Sequence, residues 1–367
     1  MKVAIIGASS GQLPLCEAAH EMGLETICFA WPQGAICRSF VDKYYPVSII
    51  EKDKIVDVCR KEHVDGVVSN ASDFTAEVVS YVSEKLGLRG NSYQDLLRLR
   101  NKYLVRQATQ NVEGLSPVPY QLYDAAKVYD KFPYVVKPVS GSSKKGVSFV
   151  SCKEEFVAAI LNANDQSNSI LIEQFIDGRE ISVESLSCDG THHIIQFTDK
   201  KTTGYPHFVE LEHHQPAELS DSLKTRISKV VNGLLSAVNY RFGAAHIELK
   251  VDDFGRIYLI EINPRGGGDE ISNKLVKLST GYDYIKGIIQ TAVGDYHCPD
   301  CIPNLYYSGI YYLCGQSSYL KNVFLRSDTY SWEVERHFSN LDMKDALGNY
   351  DRSGYLIYQS DHKVVLA

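Results

Sequence analysis

Short apolar runs alternate with amphipathic segments through the first part of the chain. VAII reads as a buried strand that stops at Gly7, and LPLCEAAHEMG as a helix with Pro14 in its first turn and Gly23 at its end. ETICFA (strand), DKIVDVCRKEH (helix), DGVVSN (strand) and FTAEVVSYVSEKLG (helix) continue the series. This alternation predicts a parallel, doubly wound sheet over residues 1–92. The polar, helical stretch LRGNSYQDLLRLRNKYLVRQATQ then connects to a second unit.

From about Tyr120 the pattern changes. Strand VPYQLY, helix DAAKVYDKF, strand YVVKPV, a Gly/Ser/Lys loop, strand VSFV, helix EEFVAAILNA and strand ILIEQFI predict a small α+β lobe over about 120–176. EISVESLS and HHIIQFT, joined by Cys-Asp-Gly, predict a hairpin. A helix starts at Ser220-Asp221, with Leu223, Ile227, Val230, Leu234 and Val238 at helical spacing. Residues 301–367 are Tyr-rich short strands with turn signals, a β-rich segment expected to pack on the preceding core over 93–300.

AAHIELKV and RIYLIEIN flank DDFGR and predict an antiparallel hairpin. With Asp253 paired to Arg256, Glu248 falls opposite Glu261 and His246 opposite Asn263. Ile247, Leu249 and Val251 then share the other face with Ile262, Ile260 and Tyr258, so the register agrees with burial. Two carboxylates about 5 Å apart across a ladder repel by on the order of 3 kcal/mol at an effective dielectric of about 20. A divalent cation between them reverses the sign. Glu248, Glu261 and Asn263 offer only hard oxygen donors, which suits Mg²⁺ completed by waters and substrate phosphates. A solvated polar hairpin face is the plain alternative, but Arg265 and Gly266-Gly267-Gly268 follow at once, residues that suit an anion.

A metal beside an arginine predicts a nucleotide, and the matching elements lie upstream. Lys137 sits within YVVKPV, where a lysine is unusual unless paired. SGSSKKG follows, Ser140, Gly141, Ser142, Ser143, Lys144, Lys145 and Gly146, a turn whose hydroxyls and N–H groups can wrap a phosphate, though it is not a Walker sequence. IEQFIDGREISVE places Glu173 and Glu180 around a strand end able to meet a purine edge and ribose hydroxyls.

Composition narrows the classes. The chain has 367 residues and a formal charge of −7, with no Lys/Arg-rich run, so neither nucleic acid nor a membrane is an expected partner. No apolar segment is long enough to span a bilayer. Nine scattered cysteines suit reduced thiols in a cytoplasm better than a disulfide framework. Gly7-Ala8-Ser9-Ser10-Gly11 resembles a serine-hydrolase elbow, but only six residues precede it to build an oxyanion hole, and it lacks the spacing of a dinucleotide fingerprint. Cys298 and Cys301 form a CxxC without a second ligand pair.

Taken in order, NKY around Lys102, VVKP around Lys137, GSSKKG, IEQFIDGREISVE, the helix ahead of HIELK, and IEINPRGGGD resemble the ATP-grasp ligases across nearly the whole chain. Within that family it looks most like the L-amino-acid ligases and the carbamoyl-phosphate-synthase-like group. The resemblance implies an α/β and α+β architecture: a Rossmann-like parallel-sheet domain, then a two-lobed ATP-grasp domain. It further implies that Lys102, Lys137 and the Ser140–Gly146 loop contact ATP phosphates, that Glu173, Phe175 and Ile176 meet adenine, and that Glu180 holds ribose. Glu248, Glu261 and Asn263 would bind Mg²⁺, with Mn²⁺ a substitute. Arg265 and Lys137 would act on the transferred phosphate, and Arg265, Gly266 and Gly267 would line the acyl site. The expected substrates are a small carboxylate and an amine, joined through an acyl phosphate, and a homodimer is an arrangement the family allows. A carbamoyl-phosphate-synthase-like enzyme phosphorylating carboxylate or carbamate, and a non-catalytic nucleotide-binding protein, are the competing expectations. Glu184 and His214 sit in family-like segments without an assigned role.

Overall fold

In the computed structural model, which describes residues 1–141, 144–167, 169–299, 301–340 and 343–366, the alternating N-terminal segments form a four-stranded parallel sheet. Its strands are β1 (Lys2–Ile6), β2 (Glu25–Phe29), β3 (Lys43–Tyr45) and β4 (Gly66–Val68), in the order β3-β2-β1-β4. Helices α1 (Leu13–Glu21), α2 (Lys52–Glu62) and α3 (Asp73–Leu86) connect them or follow them. Both faces are covered, as a parallel sheet requires. Ala4 and Ile6 pack with Ile55, Val56, Val78 and Val82 of α2 and α3. Val3 and Ile5 share a core with α1 and with Ile288 and Ile289 of a helix far along the chain, Tyr284–Val293. The N-terminal sheet is therefore seated directly on the rest of the molecule.

The connecting stretch divides into α4 (Tyr93–Leu99) and α5 (Lys102–Thr109). Asn101 breaks it because its side chain caps α5, accepting from the Leu104 N–H at 3.0 Å. The small lobe that follows is a sheet of β5 (Tyr120–Leu122), β6 (Tyr134–Pro138), β7 (Ser148–Val150) and β8 (Ile170–Gln174), ordered β5-β8-β6-β7, with α6 (Lys153–Asn164) packed on it. The helix expected over DAAKVYDKF does not form. Asp124 turns the chain locally, its carboxylate accepting from the Ala126 N–H (3.0 Å), and Tyr129 and Phe132 turn into a cluster with Tyr134 and Phe156 instead of lining a helix face.

The main sheet has eight strands: β9 (Arg179–Cys188), β10 (Thr191–Thr202), β11 (Glu210–Gln215), β12 (Gly243–Val251), β13 (Ile257–Asn263), β14 (Tyr307–Leu313), β15 (Glu333–Phe338) and β16 (Gly354–Ser360). The order is β13-β12-β9-β10-β11-β14-β16-β15, so the Tyr-rich C-terminal strands extend the same sheet. Helix α7 (Asp221–Ala237), capped by Ser220, lays Ile227, Val230, Val231, Leu234 and Leu235 against Ile181, Val183, Ile247, Leu249 and Val251.

The β12–β13 ladder pairs His246 with Asn263, Ile247 with Ile262 and Glu248 with Glu261, as the sequence predicts. Nearer the turn the prediction fails. Leu249 faces Leu259, because a bulge at Ile260 shifts the register and Asp252, not Asp253, closes the turn, its N–H donating to the Arg256 carbonyl at 3.2 Å. Ile257 and Leu259 consequently enter the core. Ile260 is half-buried, and the Tyr258 hydroxyl turns to Asp252 (3.2 Å).

One buried ion cluster ties the small lobe to this hairpin. Glu173 of β8 receives Arg106 of α5 (2.6 Å) and Lys137 of β6 (2.6 Å), while Arg106 also donates to the Ile260 carbonyl at 3.2 Å. Burial opposes ionisation of Glu173, but Lys137 and Arg106 outweigh it and hold the carboxyl down to about 2. Burial pulls the Lys137 ammonium below its ordinary value, which Glu173 only partly offsets. Two cations share one anion, so the cluster keeps a net positive charge.

Two stability predictions follow from this packing. Leu249→Ala, at a fully buried position, should cost about 2–5 kcal/mol, whereas Phe254→Ala in the exposed turn should change stability by no more than about 0.5 kcal/mol, both by denaturant unfolding. Glu173→Gln should cost about 3–5 kcal/mol at neutral pH because two buried cations lose their counter-charge. The carboxyl is depressed from its ordinary 4.5 to about 2 in the folded state, so its contribution is complete above the ordinary value and disappears as pH falls through about 2. The stability gap between wild type and the variant should stay flat above about pH 5 and close on acidification; a gap that widens in acid contradicts this assignment.

Candidate active site

Alternation on β12 sends Ile247, Leu249 and Val251 toward α7, and His246, Glu248 and Lys250 to the opposite face. Ladder neighbours extend that polar face: Glu184, Ser182 and Glu180 on β9, then Lys200 on β10. Glu248 and Glu261 stand directly opposed on it.

Lysines neutralise the pair. Lys200 Nζ lies 2.8 Å from Glu248, 3.4 Å from Glu180 and 3.5 Å from Glu210. Burial disfavours its charge, but the three carboxylates outweigh that and hold its pKa well above the ordinary value. Burial likewise opposes ionisation of Glu248, yet Lys200 and His246 keep its carboxyl well below the usual range. Lys102, the first residue of α5, reaches Glu261 at 3.1 Å and donates to the Gly141 carbonyl at 3.0 Å, bridging the carboxylate pair and the Gly/Ser loop. His246 is hydrogen-bonded to Glu184 through Nδ1 and lies 3.2 Å from Glu248 through Nε2; burial favours the neutral ring, but Glu184 and then Glu248 push it up to about 9.

Of the predicted loop, Ser140 and Gly141 are exposed and Gly146 turns the chain with φ +73°, where an added Cβ would lie 2.9 Å from Gln166. Ser142 and Ser143 lie outside the described residues. Lys144 is held by Glu210 (2.9 Å) and by the Phe208 carbonyl (2.6 Å), whereas Lys145 is exposed. Phe175 packs edge-on to Phe149 (4.8 Å), and Lys250 sits 4.7 Å over the Phe175 ring while donating to the Ile176 carbonyl at 3.0 Å. The strand end expected to meet adenine is thus an aromatic pocket with one lysine. Glu173 is directed elsewhere: its oxygens are taken by Arg106 and Lys137, so it sets the position of Lys137. Glu180, expected near ribose, lies within reach of Lys200.

The N-terminal domain completes the other end. Arg265 is held by Asp73, the first residue of α3, at 2.9 Å and also donates to the Gly266 carbonyl (3.0 Å). The Gly266 N–H donates to Asn70 (3.2 Å) and the Gly267 N–H to Glu184 (2.9 Å). A Cβ on Gly266 would lie 2.7 Å from Asn70 Oδ1, and one on Gly267 2.8 Å from His246 Nδ1. These two glycines therefore serve by leaving no side chain; their N–H groups, expected to approach an anion, are already committed. Asn263 donates to the His246 carbonyl at 3.4 Å.

Glu248, Glu261 and Asn263 fit a hard divalent cation that takes its remaining oxygens from phosphates. Among the described residues no cluster of three His, Cys, Asp or Glu side chains forms a self-sufficient metal site, and Cys298 and Cys301 are exposed. No helix among them is long and apolar enough to cross a membrane. Sequence reasoning missed Lys200, Lys250, Arg106, Asn70 and Asp73. The first two carried the same signal that revealed Lys137, a lysine inside a strand; the other three carried none, because only the fold brings them here.

Residues 130–274 match the family model of the ATP-grasp domain. The carbamoyl phosphate synthase large chain of Clostridium botulinum is 26% identical over 265 residues, covering 68% of this chain but 24% of that protein, so the chain spans about a quarter of that relative's length. The crystal structure of an L-amino acid ligase from Bacillus licheniformis superposes with a TM-score of 0.78 at 26% identity, covering 98% of this chain and 93% of that one. The biotin carboxylase domain of Hydrogenobacter thermophilus 2-oxoglutarate carboxylase, solved with MgADP and bicarbonate, shares the fold with a TM-score of 0.73 at 17% identity, covering 98% and 86%. With the opposed carboxylates, the lysines and the glycine run in place, the chain carries an ATP-grasp domain and resembles the carbamoyl-phosphate-synthase-like ATP-grasp ligases.

Proposed function

We propose that the protein is an ADP-forming carboxylate–amine ligase: ATP phosphorylates a small carboxylate, and an amine displaces phosphate from the acyl phosphate to give an amide or peptide bond. The observation that carries this reading is the Glu248–Glu261 pair facing Lys102 and the Gly/Ser loop at one end and Arg265 with the glycine run at the other. Phe175 and Ile176 would receive the adenine, and Glu180 would meet the ribose. Glu248, Glu261 and Asn263 would hold a magnesium ion, which would supply charge neutralisation for the triphosphate.

The chain's own groups do the rest. The substrate carboxylate is already a nucleophile, so rate comes from in-line positioning and from fixed positive charge around the moving phosphoryl group. Lys137, left under-neutralised by its shared anion, and Lys102 face the phosphates. Arg265, locked by Asp73, steadies the transferred group, and Gly266 and Gly267 let Asn70, Glu184 and His246 close against the backbone beside the acyl site. The likeness to an L-amino acid ligase makes amino acids the first substrates to test. A carbamoyl-phosphate-synthase-like reading predicts instead ADP release that depends on bicarbonate, and a nucleotide-binding protein without catalysis predicts no ADP release at all.

ADP release should be screened over pairs of L-amino acids and simple carboxylates with MgATP. Glu261→Ala is expected to abolish ADP formation while the thermal unfolding transition is retained; undiminished turnover in the folded variant would remove its metal role and the reading built on it.

A further inference from the structure

Two buried side-chain atoms on β11 have no hydrogen-bond partner among the described residues: Glu210 Oε2 and His213 Nδ1. They share a face. The bulge in the β10–β11 ladder sets Glu210 opposite Thr202 and His213 opposite Lys200, the lysine that touches Glu248. Buried acceptors left unpaired are costly, so an occupant that satisfies both is expected.

Its chemistry can be read from the partners each residue already has. Glu210 is ionised: burial opposes this, but Lys200 and Lys144 hold its carboxyl down to about 2, so Oε2 can only accept. His213 Nε2 lies 3.4 Å from Asp269 Oδ2, and a carboxylate only accepts, so Nε2 carries the hydrogen and Nδ1 presents its lone pair. Asp269 is fixed in turn by both terminal nitrogens of Arg352, at 2.6 and 3.0 Å, and Arg352 stacks 3.6 Å from the Tyr312 ring. Burial opposes ionisation of Asp269, but His213 and Arg352 outweigh it and hold the carboxyl well below its ordinary value. Burial keeps the His213 imidazole toward its neutral form, with Asp269 opposing. Asp269 directly follows the glycine run, at left-handed φ +53°. Both unpaired atoms are acceptors, so a ligand that donates N–H suits them.

We propose that Glu210 and His213 form the subsite of the attacking amine, with His213 Nδ1 as the base that frees its lone pair and Asp269 and Arg352 as positioning residues. This rests on the ligase reading. The amine arrives as an ammonium held by Glu210 Oε2. His213 Nδ1 takes one proton; the freed lone pair forms the C–N bond; the C–O bond to phosphate breaks with its electron pair leaving on phosphate. The second surplus proton passes to the departing phosphate, and Asp269 stabilises the imidazolium.

The test compares two nucleophiles on the same acyl phosphate, in the full-length wild type, His213→Gln and Asp269→Asn, with L-amino acids as carboxylate and amine. Hydroxylamine attacks as the free base at neutral pH and needs no prior deprotonation, whereas an amino acid's ammonium does. The amide-to-hydroxamate ratio should fall by about 10²-fold or more in His213→Gln. It should fall also in Asp269→Asn, whose amide can present an N–H to Nε2 and so reverse the tautomer. The deficit should narrow as pH rises toward the amine's own titration. Over that range Asp269, Arg352, Lys200, Glu210 and Tyr312, the groups facing His213, keep their charge states, since each is held away from it. Equal loss of amide and hydroxamate in both variants would overturn the base and leave the ligase reading standing, as expected if the two atoms hold only a structural water. A wild type that yields neither product nor ADP would overturn the ligase reading and the base with it.

Discussion

Everything in the cleft is arranged around one unfavourable contact: two carboxylates, Glu248 and Glu261, opposed across an antiparallel ladder. Left alone the pair would repel by on the order of 3 kcal/mol at an effective dielectric of about 20. The fold holds it in place from behind, because Ile247, Leu249 and Ile262 on the reverse face are locked under α7 and a slip of one residue would expose them. It is relieved from in front by Lys200 and Lys102, each bonded to one carboxylate.

The same logic of shared charge recurs outward. Glu173 divides one negative charge between Arg106 and Lys137, leaving a buried positive excess beside the loop expected to wrap phosphate. Glu210 is shared between Lys200 on the sheet and Lys144 on the small lobe, so a single carboxylate links floor and lobe. At the far end Asp73 and Asn70 reach in from the N-terminal domain to fix Arg265 and Gly266. That domain is thus part of the site's architecture, and its sheet shares a core with the helix Tyr284–Val293.

Much of this was legible in the sequence because its signals are local. Strand and helix periods gave the parallel sheet, the small lobe and α7, and the acidic residues on one hairpin face gave the opposed carboxylate pair. The hairpin shows how such reading can be right through cancelling errors. The turn is one residue longer than expected, closing at Asp252, and the bulge at Ile260 restores one residue, so Glu248 still meets Glu261. No period reveals a bulge whose carbonyl is claimed by an arginine from a distant helix. DAAKVYDKF failed for the opposite reason: its spacing suits a helix, but its aromatic rings gain more from the cluster around Phe156. Lys200 escaped notice because the strand carrying it was ended at Thr198, four residues before its end at Thr202. Asn70, Asp73 and Arg352 are far in sequence from what they touch, and only tertiary structure brings them there.

A ligase of this kind requires the opposed carboxylates to receive a divalent ion together with a nucleotide. The direct measurement is electron paramagnetic resonance of Mn²⁺ titrated into the protein with ADP, for the wild type and for the Glu248→Gln/Glu261→Gln double variant. The account predicts a protein-bound, ADP-dependent Mn²⁺ signal in the wild type and its loss in the folded double variant. An unchanged Mn²⁺ affinity after both carboxylates are neutralised would place the ion elsewhere and contradict the central claim.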